Sequence, residues 1–479
     1  MNYRMIAYLL GVIMLIEAVF MVLPLAVSLI YGEMSGIWFL VTMAAAGILG
    51  GVCVCLRPKK RDMYAKEGFV VTALAWVVIS LIGAMPFTLS GQIPSYLNAV
   101  FETVSGFTTT GASILHNVEA LDHGMLFWRS FTHWLGGMGI LVFMLAVMNV
   151  GNGQSNHLLR AESPGPSVSK MVPNMRRSAA ILYGIYVAMT VLQIVLMLLG
   201  RMPLFDSFCV AFGTAGTGGF GVRADSIAGY STYLQTVIAV FMVLFGVNFN
   251  VYFFLLMKKF STALRSTEVR TYLLIVLFST AVVGVNILSV MSNAFDAFHH
   301  AFFTVASIMT TTGFATVDFN LWPELSRLLL VLLMVVGACA GSTGGGVKVS
   351  RIVIMFKAAA FEVRKLLHPG SVKVLTMDGK RISRETVQGV QSYMTVYFTI
   401  AVVSILLVSL DNFDFVTSMT SVMATLNNIG PGLNLVGPTA NFDLFSPMSK
   451  LVLTMDMLLG RLELFPILIL LMPSTWRKH

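Results

Sequence analysis

The chain of 479 residues is 57% hydrophobic and only 11% charged, with a mean hydropathy of +0.83. Soluble domains carry about 25% charged residues, so the composition excludes a large soluble enzyme and points to a polytopic membrane protein. The net charge of +9 is spread over several segments that flank apolar stretches, which argues against nucleic acid as a partner.

A spanning helix needs about 20 mostly apolar residues. In chain order, 3–30 and 36–56 form an N-terminal pair of spans. The first is too long, and too closely followed by the second, for a cleaved signal peptide. Further spans are expected at 69–90, 124–149, 179–200, 233–257, 271–291, 389–410 and 448–472, with a longer interrupted stretch at 325–357, about ten in all. Twenty-five of the 31 Lys and Arg residues fall at Arg4, in 57–66, 160–177, 258–270 and 348–384, and at Arg477 and Lys478. By the positive-inside bias these segments and both termini are cytoplasmic. They would meet anionic lipid or a cytoplasmic partner. Cys53, Cys55, Cys209 and Cys339 show no zinc spacing and read as reduced structural thiols.

From residue 69 a pattern of span, polar dip and span occurs four times. The dips are Thr108-Thr109-Thr110-Gly111, Gly216-Thr217-Gly218-Gly219-Phe220, Thr310-Thr311-Thr312-Gly313-Phe314 and Asn427-Asn428-Ile429-Gly430-Pro431. Each follows a segment too short to cross, and Asn98, Asp206, Asp296 and Asp414 are the expected N-caps of four half-membrane helices. Non-helical backbone at membrane depth is tolerated only where it lines water or is buried in protein. The competing explanation, small residues placed for helix packing, accounts for neither the caps nor the repetition.

Four helix C-termini aimed at one point, each carrying about half a negative charge, stabilise a dehydrating cation there. Carbonyls of the following extended residues would replace its hydration shell, and glycine permits the dihedrals required. Threonine hydroxyls would add ligands or brace the turns. Twelve of the 22 acidic residues, among them Glu33, Glu102, Asp206, Asp414 and Asp443, lie in segments expected outside. They would form either a cation-concentrating surface or ordinary caps and solvated loops.

After the third dip, Gly337–Lys348 contains Gly341-Ser342-Thr343-Gly344-Gly345-Gly346 inside a long apolar stretch. Three consecutive glycines destabilise a helix by about 1 kcal/mol each relative to alanine. A break is expected on the cytoplasmic side of the third dip, as a glycine-hinged gate or as a rigid kink. The likeness of Gly341–Lys348 to a phosphate loop fails, because Val347 stands where the lysine belongs. In the last span, Arg461 is a lone cation near mid-membrane, a functional residue by default. Helical geometry places it away from Asp456 and Glu463, leaving a pore-facing barrier or a salt bridge to another helix. His133 and Trp134 read as packing or interface residues.

These motifs, with Ala340–Gly346 and Gly460-Arg461-Leu462-Glu463-Leu464-Phe465, resemble the TrkH/TrkG type of potassium-uptake protein in the Trk/Ktr/HKT superfamily. The resemblance covers about 69–472. It implies an all-α polytopic membrane protein: four pseudo-symmetric helix–pore-loop–helix units around one pore, plus the N-terminal transmembrane pair. The corresponding boundaries are 1–66 for the pair and 67–160, 161–265, 266–370 and 371–479 for the units. It implies a selectivity filter at Thr110, Gly111, Gly218, Gly219, Thr312, Gly313, Ile429 and Gly430. It further implies a gate at Gly341, Ser342, Thr343, Gly344, Gly345, Gly346 and Arg461. The transported ion it implies is K+, and neither an organic cofactor in this chain nor enzymatic activity is expected. The implied setting is the bacterial inner membrane, in a homodimer with a cytoplasmic nucleotide-binding regulator carrying RCK domains. Superfamily members with serine at the first glycine favour sodium, so Gly111 argues for potassium. The alternatives are an H+- or Na+-coupled potassium symporter, which would also use broken helices but typically places carboxylates there, and a less selective K+/Na+ transporter. An intramembrane enzyme is disfavoured, because no paired carboxylates, H-E-x-x-H or serine–lysine constellation sits at a plausible depth.

Overall fold

A computed structural model describes residues 1–56, 65–139, 175–368 and 374–476. The end of the expected 124–149 span and the basic residues Arg57, Lys59, Lys60, Arg61, Arg160, Lys170, Lys373, Arg477 and Lys478 lie outside the described residues.

The described residues hold six helices long and apolar enough to cross a membrane: Tyr3–Tyr31, Gly36–Cys55, Lys66–Leu89, Arg177–Leu199, Thr267–Ile287 and Arg384–Asp411. Their outward faces carry large apolar side chains such as Leu277 and Leu406, suited to lipid. Apolar lipid gives helices no hydrophobic reason to associate, so close packing of small residues must do it. The first and second helices cross at Gly11 and Gly50. A Cβ on either would come within 2.7 Å or 2.8 Å of the other's carbonyl oxygen.

The last four of the six helices each begin a repeated unit, as the outer helix. A short pore helix follows: Tyr96–Phe107, Leu204–Gly216, Ala294–Met309 and Phe415–Leu426. The caps differ from expectation in three of the four. Ser95 and Asn293 cap the first and third with their side chains, and Pro203 occupies the cap position of the second. Asn98, Asp206 and Asp296 instead stand within the first turn. Asp414 caps the fourth as expected, accepting from the Thr417 amide. With these caps, the filter-position glycine lies sixteen residues on in units one, two and four, and twenty in unit three.

An inner helix closes each unit, and three of the four are broken or bent within the described residues. The first, His123–Met138, ends at Gly139, φ 80°. The second bends by 90° between Thr232–Phe245 and Phe249–Leu256. The third breaks between Glu324–Val336 and Val349–Leu367, and the fourth between Pro447–Arg461 and Phe465–Leu471. The third break matches expectation. The second and fourth overturn the continuous spans expected at 233–257 and 448–472. In the fourth, Glu463 and Leu464 adopt φ of 54° and 70°, a conformation non-glycine residues hold only where tertiary contacts enforce it. A two-stranded hairpin, Thr376–Met377 with Lys380–Arg381, precedes the last outer helix. All four cysteines are free thiols.

The first inner helix is pressed into its neighbours through glycine. A Cβ at Gly136 would overlap the Phe107 carbonyl, and one at Gly216 would overlap the His133 carbonyl. Backbone cannot yield as a side chain can, and overpacking of this kind costs about 1–3 kcal/mol. Gly216→Ala should lower the thermal unfolding temperature in detergent by several degrees. Gly184→Ala, facing open space on the second outer helix, should not; equal effects would contradict this packing.

Candidate ion pathway

The four pore helices end in one and the same turn. Thr109, Thr217, Thr311 and Asn428 are left-handed, with φ of 54°, 56°, 60° and 55°. Two residues later Gly111, Gly219, Gly313 and Gly430 take φ of 81°, 79°, 87° and 95°. The intervening amides of Thr110, Gly218, Thr312 and Ile429 each donate five residues back at 2.8 Å, to Ser105, Gly213, Ser307 and Ala424. The left-handed residues donate three back, at 3.0–3.1 Å. This is the Schellman motif, which satisfies the last carbonyls of a helix and here directs the chain sharply away from its axis.

The glycines meet in a ring. A Cβ on Gly111 would overlap the Gly218 carbonyl oxygen, one on Gly219 that of Thr312, and one on Gly313 that of Ile429. A Cβ on Gly430 would lie 2.8 Å from the Thr110 oxygen and close the circle. The units therefore follow one another in chain order around a single axis. Among the described residues, the carbonyls of Thr110, Gly218, Thr312 and Ile429 accept no hydrogen bond. All four glycines open onto one cavity of about 170 Å³, flanked by Ser113, Gly221, Pro431 and Ala440.

The threonine hydroxyls brace these turns. Thr108 and Thr110 share a hydrogen bond of 2.8 Å, and Thr310 and Thr312 share an identical one. Thr108 and Thr310 also reach back to the Val104 and Ala306 carbonyls, both at 2.6 Å. In the fourth unit the Asn428 amide takes over, donating to Thr110 Oγ1 and to the Met457 carbonyl, both at 2.9 Å.

Behind the ring lies a buried ion pair. Arg129 Nε donates to Glu102 at 2.6 Å, and the guanidinium stacks on Phe220 and donates to the Gly221 carbonyl. Glu102 also accepts from Ser113 Oγ and the Ile114 amide, both at 3.0 Å. One pair thus pins the return segments of units one and two. His133 does the same nearer the ring. The Phe220 amide donates to its Nε2 at 3.2 Å, so Nδ1 carries the proton and donates to the Gly106 carbonyl at 2.7 Å.

The broken third inner helix passes directly beneath. The Gly345 amide donates to Thr311 Oγ1 at 2.6 Å and the Gly346 amide to the Asn427 carbonyl at 3.1 Å. Thr343 Oγ1 reaches the Phe245 carbonyl of unit two. Lys348 donates to the Gly344 carbonyl. Buried Glu268 accepts from the amides of Ala340 (2.6 Å) and Ser350 (3.2 Å), clasping both stems of the loop. Arg461 of unit four donates to the Thr343 carbonyl at 2.9 Å, to the Gly137 and Gly136 carbonyls and to Thr109 Oγ1. Units one and three are opposite in the ring, so a guanidinium touching both lies close to the axis.

All eight filter-position residues named from the sequence therefore come together. Of the gate set, Thr343, Gly344, Gly345, Gly346 and Arg461 lie beneath the ring. Gly341 and Ser342 form the loop's turn toward unit two, where the Phe249 amide donates to the Gly341 carbonyl. The Arg461 guanidinium is held by carbonyls and a hydroxyl, while Asp456 accepts from Ser404 and Glu463 pairs with Arg351. The helical-face comparison with Glu463 fails because the helix ends at Arg461. His133, expected as packing, is a polar brace, and Glu102 is buried rather than part of an outer acidic surface. Among the described residues the cavity lining holds Arg129, Arg223 and His116 and no carboxylate. The outer carboxylates are occupied locally: Glu33 caps His123 and Gly124, and Asp206 accepts from Tyr230. A hydrogen bond from Lys450 holds Asp443 below the usual carboxylate range. Only a charge inside an otherwise apolar stretch, as at Arg129, signalled the buried pair.

The profile of the TrkH family, described as cation transport protein, matches residues 37–478. The chain belongs to the TrkH family. It is 35% identical to the Trk system potassium uptake protein TrkH of Salmonella typhimurium, with both chains covered completely. It is 31% identical to TrkG of Escherichia coli K12, covering all of this chain and 99% of that one. The crystal structure of the potassium transporter TrkH from Vibrio parahaemolyticus superposes with a TM-score of 0.90 at 32% identity, covering both chains completely.

In this TrkH-family protein, removing one partner of a buried ion pair strands the other charge, at about 3–5 kcal/mol. Glu102→Ala should therefore destabilise by that amount in thermal unfolding. The double replacement Glu102→Leu with Arg129→Met should lose less than the single one. A larger loss in the double variant would contradict the pairing.

Proposed function

We propose that the chain is the potassium-translocating subunit of a Trk-type uptake system in the bacterial inner membrane. The observation that carries this is the closed ring of four unbonded carbonyls at the ends of four pore helices, in a chain similar over its whole length to potassium uptake proteins. Dehydrated K+ passes the ring passively, coordinated by the carbonyls of Thr110, Gly218, Thr312 and Ile429. The four glycines keep that space free of side chains, and the hydroxyls are spent on bracing. The ring is asymmetric, with Asn428-Ile429 in place of Thr-Thr in the fourth unit, so selectivity is moderate.

The loop at 338–346 closes the path from the cytoplasmic side. Arg461 adds a fixed positive charge there, a barrier that falls when the guanidinium leaves the Thr343 carbonyl. The relatives' names make them parts of a Trk system. We extend this to a homodimer with both termini cytoplasmic, opened by a cytoplasmic RCK-type nucleotide-binding partner that pulls on the helix after the loop.

Two measurements of ⁸⁶Rb+ flux into liposomes test this function. Gly111→Ser, which puts atoms against the Gly218 carbonyl, should reduce the preference for K+ over Na+ by roughly tenfold, about 1.4 kcal/mol. Unchanged relative permeability would remove the ring from the filter role. Thr311→Val removes the acceptor of the Gly345 amide while keeping the β-branched shape. It should raise basal flux several-fold, and Thr311→Ser should not. Equal flux in all three proteins would show that the loop does not gate.

A further inference from the structure

Glu17 is a carboxylate inside the membrane that none of the contacts described so far uses. It lies in the middle of the Tyr3–Tyr31 span and is 0% exposed. Both of its oxygens are buried without a hydrogen-bond partner among the described residues. It faces the first pore unit: an added Cβ at Gly83 would lie 3.1 Å from Glu17 Oε1, 3.0 Å from Thr103 and 2.9 Å from Phe107. Glu17 therefore sits one atomic layer behind the pore helix that leads to Gly111.

The charged and titratable groups on every element packed around it are engaged elsewhere or remote. On its own helix Arg4 is three turns away, near the terminus. On Gly36–Cys55, Cys53 opposes Gly11, almost two turns from Glu17, and Cys55 lies beyond it. On Ala65–Leu89, Lys66 reaches the Ser474 carbonyl and Glu67 stands beside it at the far end of the span. On the first pore helix, Glu102 pairs with Arg129 of the first inner helix. On that inner helix, His133 holds Gly106 and Phe220, and His123 meets Glu33. No ion pair among the described residues includes Glu17.

An ionised carboxylate in such a place has no exposure to solvent and no counter-charge among the described residues, and the desolvation penalty is not recovered. A neutral carboxylic acid pays only the far smaller cost of an unpaired polar group. We propose that Glu17 is a proton-binding site, its carboxyl carried as a neutral acid between the N-terminal span and the back of the first pore helix. The ligand class is the proton itself. Its loss would create a charge against Phe107, whose own carbonyl is packed on Gly136 beside the Arg461 contact. The site thereby links proton occupancy to the packing under the ring.

Two readouts on the whole protein in liposomes test the assignment. Dicyclohexylcarbodiimide reacts with protonated carboxyls in apolar surroundings, so mass spectrometry should find its adduct at Glu17 at neutral pH, falling as pH is raised. Infrared spectroscopy should show the carbonyl stretch of a protonated acid, absent in Glu17→Gln. That variant is a neutral isostere and should keep ⁸⁶Rb+ flux within about twofold of wild type at neutral pH. Wild-type flux should fall at alkaline pH and the variant's should not. The adduct is located by mass spectrometry on the unsubstituted protein, so misfolding of the variant leaves that readout intact. Absence of both, or an ionised-carboxylate band for Glu17 at neutral pH, overturns the proposal.

Discussion

The structure depends on one turn used four times. Each pore helix stops with a left-handed residue, and the second residue after it is a glycine at φ 79° to 95°. Left-handed backbone in a threonine costs about 1–2 kcal/mol, so three of the four turns are strained on their own. The strain persists because the hydroxyl at that position is used. Thr311 receives the Gly345 amide, Thr109 receives Arg461, and Thr217 donates to the Gly216 carbonyl. The same torsions that turn the chain also bring each carbonyl to the place a Cβ of the preceding unit's glycine would occupy. Ring closure and the demand for glycine are one fact seen from two sides.

The inner helices follow from this. A helix running on unbroken beneath the ring would keep its backbone groups to itself. Here each inner helix ends or bends within sixteen residues, and the freed groups are shared across units. Phe249 donates to Gly341, Cys339 to Gly246 and Gly346 to Asn427. Gly136 and Gly137 offer their carbonyls to Arg461. Broken helices at membrane depth stay acceptable because the freed groups are buried in protein, paired across units at the second and third breaks and closed on the helix's own carbonyls at the fourth.

Much of this arrangement was legible in the chain, for identifiable reasons. Gly–Thr clusters have no role on a lipid-facing helix, so the ring residues and the third break stood out. The caps were displaced by one turn because Ser95 and Asn98, like Asn293 and Asp296, are three apart and equally able to cap. The second break left little trace, since Gly246-Val247-Asn248 contains no glycine run and no proline. The fourth left one signal that the span reading passed over, Pro466 in the first turn of the resumed helix. The left-handed Leu464 is held by tertiary contact, with Glu463 drawn to Arg351 on the helix after the third break. The link between Asn428 and Thr110 joins residues more than three hundred apart. No local pattern encodes it.

The bracing is unequal around the ring. Units one and two are joined by a buried ion pair, a stacked guanidinium and an imidazole with both nitrogens engaged. Units three and four meet the axis through amides of the glycine loop, the Thr311 hydroxyl and the Arg461 guanidinium, with Lys348 and the Arg351–Glu463 pair beside them. Breaking the Glu102–Arg129 pair strands buried charge, whereas the loop's amide contacts are worth about 1 kcal/mol each in net stability. The clasp of Glu268 on Ala340 and Ser350 and the pair of Arg351 with Glu463 flank the third break. These two carboxylates tie the helix Val349–Leu367 to the stems of the glycine loop and to the segment that follows Arg461.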